Sequence, residues 1–90
     1  MMICRVVGHV WATKKEKNLE GFKLMVVREE GGSPDKTYVA ADTVGAGVGE
    51  QVLVVSGSTA RKAFGNDSVP ADMAIVAIID TVETEREGVR

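Results

Sequence analysis

The chain has 90 residues, of which 44% are hydrophobic and 27% charged, with a formal net charge of -2. This length suits a single domain with a thin core. Acidic and basic residues are interspersed, so no basic field would attract a phosphate backbone, and nucleic acid is not expected as a partner. A single cysteine excludes an intrachain disulfide, and no apolar run approaches the ~20 residues of a membrane span. We expect a cytoplasmic protein without a membrane partner.

Two segments rich in branched apolar residues lie in the first third of the chain. Residues 3–13 predict a first strand, in which Gly8 favours a bulge or sharp bend. A charged loop over residues 14–20 separates it from a second predicted strand, residues 22–29. Turn-forming residues fill positions 30–35, so a hairpin is expected there.

Three further segments have the length and the branched composition of strands. They are residues 36–43, 51–56 and 73–83, of which the last is the most apolar. Residues 57–64 predict a short helix that is capped by Ser58 and ended by Gly65. We expect one barrel domain over residues 1–83, followed by a polar C-terminal tail over residues 84–90.

Five short strands and one small helix predict an all-β fold. The expected architecture is a small five-stranded, OB-like Greek-key barrel with one short helix. Alternate residues share a strand face, and the first and last predicted strands are apolar on both faces. Because a small antiparallel barrel in water needs only one buried face, the second apolar face predicts an obligate oligomer.

The glycine-rich stretch at residues 42–61 suggests nucleotide binding, but its surroundings contradict this. Gly45, Gly47 and Gly49 are two residues apart and precede a predicted strand. Phosphate-binding fingerprints instead place a helix N-terminus after their last glycine. A plain tight turn, a subunit contact and a phosphate cradle are the three alternatives, and the absence of a following helix disfavours the cradle.

Three segments carry a resemblance that covers nearly the whole chain. They read, in order, RVVGHVWATKK, VAADTVGAGVGEQVLVVSGSTAR and VPADMAIVAIID. Together they resemble the signature of the EutN/CcmL family, the vertex proteins of bacterial microcompartment shells. The resemblance implies a β-barrel protein that forms homopentamers, plugs the corners of the shell and meets hexameric shell proteins. It also implies a structural role without catalysis or a cofactor.

Ten residues are predicted to lie at the subunit interface or near the ring axis. They are Asp42, Gly45, Ala46, Gly47, Gly49, Glu50, Ser56, Gly57, Ser58 and Arg61. Arg61 is expected to pair across the interface with Asp42 or Glu50. A role of its segment in helix capping alone is the simpler alternative.

The remaining polar residues do not form a pattern typical of an active site. His9 has no His or Cys companion at metal-ligand spacing. Asp42, Asp72 and Asp80 are expected to bond backbone groups at turns and strand ends. Cys4 is expected to pack as a small hydrophobe. We therefore predict no catalytic residue, no metal and no cofactor.

Two other functions compete with a shell protein. An OB-like binding module for single-stranded nucleic acid or a small ligand would use a basic groove with exposed aromatic residues. An enzyme built on the loop at residues 45–50 would need a nucleophile and a base, and the sequence pairs none there. The leading prediction is a structural protein located in the shell of a cytoplasmic microcompartment.

Overall fold

Five strands close into a barrel in the computed structural model, which describes residues 1–65 and 69–83. They are β1 (Met2–Val10), β2 (Lys23–Glu29), β3 (Tyr38–Asp42), β4 (Gln51–Ser56) and β5 (Met73–Ile78). One α-helix, α1 (Ser58–Phe64), follows β4, and a 3-10 turn spans Lys17–Leu19 between β1 and β2. The predicted all-β barrel with one short helix is confirmed.

The strand order around the barrel is β1-β2-β3-β5-β4, with β4 pairing back onto β1. All neighbouring pairs are antiparallel except β3 and β5, which are parallel. A parallel pair needs a crossover connection, and the segment containing β4 and α1 provides it. In this circular order β5 lies opposite the β1–β2 pair.

The barrel core is built from inward-facing residues of all five strands and one residue of the loop before β4. Its buried members are Cys4, Val6, Met25, Val27, Ala40, Ala46, Val52, Val54 and Ile75. A second, smaller cluster lies under α1 and contains Val55, Ala60 and Ala74, with Phe64 and Val76 packed against it. The helix therefore covers part of the outer surface of β4 and β5 and leaves the rest of that surface uncovered.

Two β-bulges interrupt the strand registers. The β1–β2 register shifts between Val6 and Gly8, which confirms the bulge predicted at Gly8. The β4–β5 register shifts between Leu53 and Val54, where no glycine marks the position of this second bulge. Bulges increase local twist, which helps a sheet of only five strands to close on itself.

The helix boundaries correct one prediction and confirm another. The N-cap residue is Gly57, which makes no side-chain capping bond, so the prediction that Ser58 caps the helix is wrong. Gly57 has a φ of 65° and its N–H donates to the Asp72 carbonyl at 2.8 Å, so the chain turns directly from strand to helix. At the other end Gly65 adopts the left-handed conformation and ends the helix as predicted.

The first and last strands are shorter than predicted. β1 ends at Val10 and β5 at Ile78, although apolar residues continue beyond both strands. The loop after β1 contains the 3-10 turn. The backbone N–H of Asn18 in this turn donates to the Glu16 carboxylate at 2.6 Å. The predicted polar tail, residues 84–90, lies outside the described residues.

Candidate subunit interface

Asp42 shapes the glycine-rich loop that follows β3. Its carboxylate accepts the backbone N–H groups of Val44 at 3.0 Å, Gly45 at 3.1 Å and Ala46 at 2.7 Å. The residue is only 7% exposed, and a buried charge must be satisfied by such bonds. The expectation that Asp42 bonds turn backbone groups is confirmed.

A lysine from the neighbouring strand compensates the buried charge of Asp42. Lys23 on β2 faces Asp42 on β3, and its Nζ lies 3.6 Å from Oδ2 of Asp42. The same ammonium group donates to the Ala46 carbonyl at 3.0 Å. The side chain of Lys23 thus joins β2 to both the start and the middle of the loop.

The second half of the loop is fastened to β1. Oε1 of Glu50 accepts the N–H of Gly47 at 2.6 Å. The N–H of Gly49 donates to the Val6 carbonyl at 2.8 Å, and the N–H of Val6 donates to the Glu50 carbonyl at 2.9 Å. The guanidinium of Arg5 donates to the Gly49 carbonyl at 2.9 Å. The loop is therefore fixed at both ends by side chains as well as by backbone bonds.

Two valines project from this fixed loop. Val44 is 40% exposed and Val48 is 63% exposed, whereas Ala46 between them is buried in the barrel core. Gly45 and Gly49 have positive φ angles of 81° and 94°, which residues with a side chain rarely adopt. The loop leads into β4 and not into a helix, so it lacks the helix N-terminus on which a phosphate cradle depends.

The second predicted interface segment lies at the junction of β4 and α1. Ser56, Gly57, Ser58 and Arg61 are all exposed. Among the described residues no carboxylate forms an ion pair with Arg61. Pairing of Arg61 with Glu50 of a neighbouring subunit stays a prediction. Asp42 does not suit that role, because its carboxylate is buried and already bonded to its own loop and to Lys23.

The outer surface carries further exposed apolar side chains on both sides of the barrel. They include Trp11 after β1, Val39 on β3, Ile78 at the end of β5 and Val82 beyond it. On β1 the predicted alternation is observed over its first half, where Cys4 and Val6 are buried while Ile3 and Val7 remain partly exposed. The expected second apolar surface is thus present, but it is spread over several elements.

A groove of about 280 Å³ lies where β1 ends and β2 begins. Its lining residues are His9, Val10, Trp11, Ala12, Lys15, Phe22, Lys23 and Leu24. The rings of His9 and Trp11 stack with 3.9 Å between their centroids, and Trp11 is nevertheless 84% exposed. No motif in the sequence predicted this groove. Its only signal was an apolar tryptophan immediately beyond a strand.

Within residues 1–65 and 69–83 we searched for side chains that could bind a metal ion or react as a thiol. This part of the chain contains no cluster of three His, Cys, Asp or Glu side chains that could hold a metal ion. Cys4 is fully buried, and its burial raises the pKa of the thiol, with a further increase from Glu29 and Glu30. Cys4 therefore packs as a hydrophobe, as predicted. The helices that the structure describes have three and seven residues, too few to span a bilayer.

Comparison with known proteins identifies the family. A family model described as "Ethanolamine utilisation protein EutN/carboxysome" matches residues 1–80. The carboxysome shell vertex protein CcmL of a Nostoc species is 47% identical over 89 residues, which cover 94% of this chain and 88% of CcmL. The microcompartment shell vertex protein GrpN of Rhodospirillum rubrum is 48% identical over 87 residues, which cover 93% of this chain and 98% of GrpN.

A solved structure agrees with the sequence comparison. The pentameric microcompartment shell protein GrpN from Rhodospirillum rubrum superposes with a TM-score of 0.79 and 42% identity. The superposition covers 96% of this chain and 100% of that chain. The resemblance found in the sequence is confirmed, and the chain belongs to the EutN/CcmL family.

Proposed function

We propose that this protein is a structural shell protein that forms homopentamers and closes the vertices of a polyhedral bacterial microcompartment. The observation that carries this proposal is the superposition of nearly the whole chain on a pentameric microcompartment shell protein. The exposed apolar side chains on opposite sides of the barrel support it, because a ring would bury them.

The proposed partners are further copies of the chain and hexameric shell proteins. A sheet of hexagonal tiles is flat, so a closed polyhedron requires a pentagonal unit at each corner. In a ring, one surface of each subunit meets a different surface of the next. A barrel with apolar residues on opposite sides has two such surfaces.

We place the exposed members of the two predicted segments, from Asp42 to Glu50 and from Ser56 to Arg61, at the subunit contacts or beside the ring axis. The buried side chains of Asp42 and Ala46 support the first segment from inside. The stiffness of the first segment supports this assignment, since a loop held at both ends loses little conformational entropy when it meets a neighbour. The exposure of Val44 and Val48 supports it as well. The role is structural, and we propose no reaction and no cofactor for the protein.

Measurement of the native mass tests the pentamer directly. Five chains of 9.6 kDa each give an assembly of about 48 kDa. Native mass spectrometry and light scattering should find this mass at micromolar chain concentrations. A stable monomer would contradict the proposal, and a monomer that shifts only when an oligonucleotide is added would favour the OB-like binding module instead.

Coexpression with hexameric shell proteins tests the vertex role. With this chain present, electron microscopy should find closed polyhedral particles that contain it. Without it, the tiles should form open sheets, tubes or shells with unfilled corners. Particles that close equally well in both cases and exclude this chain would refute the vertex role, even if the purified protein is a pentamer.

A further inference from the structure

We propose that the groove at the junction of β1 and β2 is the receiving half of the subunit contact and that residues 78–83 of the adjacent copy fill it. This inference rests on the proposed pentamer and specifies which two surfaces meet. For the rest of the text, the groove is the surface lined by the residues around Trp11, and the acidic segment is residues 78–83.

The groove has the properties of a protein-binding surface. Its floor is apolar, and the most exposed side chain beside it is Trp11, at 84%. Tryptophan buries a large area at low conformational cost, and it is enriched among the residues that dominate binding energy. Stacking on His9 limits the orientations of the Trp11 ring before any partner arrives, so little further entropy is lost on binding.

Charge distinguishes the two proposed surfaces. The loop beside the groove, residues 11–22, carries three lysines and two glutamates, a net charge of +1. The acidic segment, residues 78–83, carries two acidic residues and no basic residue, a net charge of -2. Lys15 lines the groove, while Asp80 and Glu83 are exposed on the acidic segment. Such complementarity favours the contact between unlike surfaces over contacts between like ones.

The acidic segment also supplies apolar side chains. Ile78 is 38% exposed and Val82 is 47% exposed, and both flank Asp80. Beyond Ile78 the backbone leaves the sheet after one more bond, in which the N–H of Ile79 donates to the Gln51 carbonyl at 2.8 Å. The segment is therefore anchored at its start, and its side chains remain available to a neighbour.

The position of β5 in the barrel favours another copy as the occupant of the groove. The acidic segment follows β5, which lies opposite the β1–β2 pair in the strand order. One subunit therefore presents its groove on one side and its acidic segment on the other. Repetition of this contact gives head-to-tail association, which is the type of contact that closes into a ring.

Zero-length crosslinking of the unmodified protein tests the inference. Isotopically labelled and unlabelled chains are mixed, allowed to exchange subunits and treated with a carbodiimide, which joins lysines to carboxylates in direct contact. We expect mixed-isotope peptides that join Lys14, Lys15 or Lys17 to Asp80 or Glu83. A pentamer that yields intersubunit links elsewhere and none between these positions would overturn the inference but leave the proposed pentamer intact.

Two substitutions test the same contact through the chain concentration at which the pentamer dissociates. We expect Trp11→Ser to raise the chain concentration at which pentamers dissociate by about tenfold or more, with Trp11→Phe much closer to wild type. Asp80→Lys should also raise the chain concentration at which pentamers dissociate. Asp35→Lys is its matched control, because it makes the same charge change in the exposed β2–β3 turn, at the end of β2 away from the groove.

Circular dichroism of each variant separates loss of assembly from loss of folding. The inference would be refuted if Trp11→Ser and Asp80→Lys both dissociated at the same chain concentration as the wild type. It would also be refuted if Asp35→Lys weakened assembly as much as Asp80→Lys does. If a variant does not fold, the crosslinking result on the wild-type protein decides. A wild-type protein that is monomeric at all concentrations would instead contradict the proposed function.

Discussion

Lys23 and Asp42 face each other across β2 and β3, with 3.6 Å between Nζ and the nearer carboxylate oxygen. The pair is asymmetric, since the carboxylate is buried whereas the lysine side chain is about half exposed. The ammonium group offsets the buried negative charge from the solvent side, while three backbone N–H groups satisfy it from the loop side. The loop conformation therefore depends on the charge of Asp42.

Substitution Asp42→Asn should test this dependence. The amide keeps one acceptor oxygen but loses the charge and adds an N–H₂ group that faces backbone donors. We expect a loss of about 2 to 4 kcal/mol in the free energy of unfolding. Urea denaturation at one fixed chain concentration measures it, because assembly makes stability concentration-dependent. Asp35→Asn, an exposed change, should cost less than about 0.5 kcal/mol, and equal losses would contradict this account.

The three glycines of the loop differ in whether their backbone conformation favours glycine. Gly45 and Gly49 have positive φ angles, whereas Gly47 does not. We expect Gly45→Ala and Gly49→Ala each to cost about 1 to 2 kcal/mol in unfolding free energy. Gly47→Ala is the control, because its new Cβ would lie 3.5 Å from Oε1 of Glu50, an ordinary contact. A larger loss for Gly47→Ala than for the other two would show that strain does not decide these positions.

Arg61 tests the second predicted interface segment. If its guanidinium pairs with a carboxylate of the next subunit, Arg61→Ala strands that charge and should weaken ring assembly, by about tenfold or more in the dissociation concentration. Light scattering over a dilution series measures the change. Lys62→Ala, the adjacent exposed basic residue on α1, is the matched control. An unchanged mass for Arg61→Ala throughout the series would refute the pairing.

Cys4 gives a probe of folding that is independent of assembly. Because the folded chain buries the thiol and raises its pKa above the ordinary 9.0, labelling by a thiol reagent at pH 8 should require opening of the barrel. We expect a rate at least about 100-fold below that of the chain in guanidinium chloride. A similar rate in both conditions would mean that β1 opens readily.

The same shift in pKa gives a pH dependence of stability. The folded state holds the Cys4 proton more tightly than the unfolded state does, so ionisation favours unfolding. The contribution is constant well below pH 9.0 and falls as the pH rises above that value. Cys4→Ala should remove this part of the alkaline loss of stability, which urea titrations at pH 8 and pH 10 would measure. Identical pH dependence in both proteins would contradict the assignment.

The sequence predicted β4 to the residue because glycines bracket it. Gly49 and Gly57 both take positive φ angles and stop the strand on either side. The end of β5 could not be predicted in this way, since Ile79 and Val82 continue the apolar pattern after the pairing with β4 has run out. Strand ends depend on where the partner strand ends, and a local pattern does not contain that information.

The sequence predicted only the part of the candidate site that depends on residues close together in the chain. Asp42 and the glycines next to it form a local turn, so their residue types and spacing indicated a structural loop. The groove depends on the contact between residues near the end of β1 and the start of β2, which are more than ten positions apart. The local pattern around Trp11 did not predict that its side chain lies exposed beside a groove. Contact of the exposed members of the two predicted segments with a neighbouring subunit stays a prediction.

The route of the loop between β3 and β4 is dictated by groups that point inwards or along the backbone, namely the carboxylates of Asp42 and Glu50 and the methyl group of Ala46. The side chains of Val44 and Val48 take no part in these contacts and project outwards, 40% and 63% exposed. Shape and surface chemistry are therefore encoded by separate residues. Protein engineers could exchange the two valines for charged, aromatic or reactive side chains and still obtain the same backbone path.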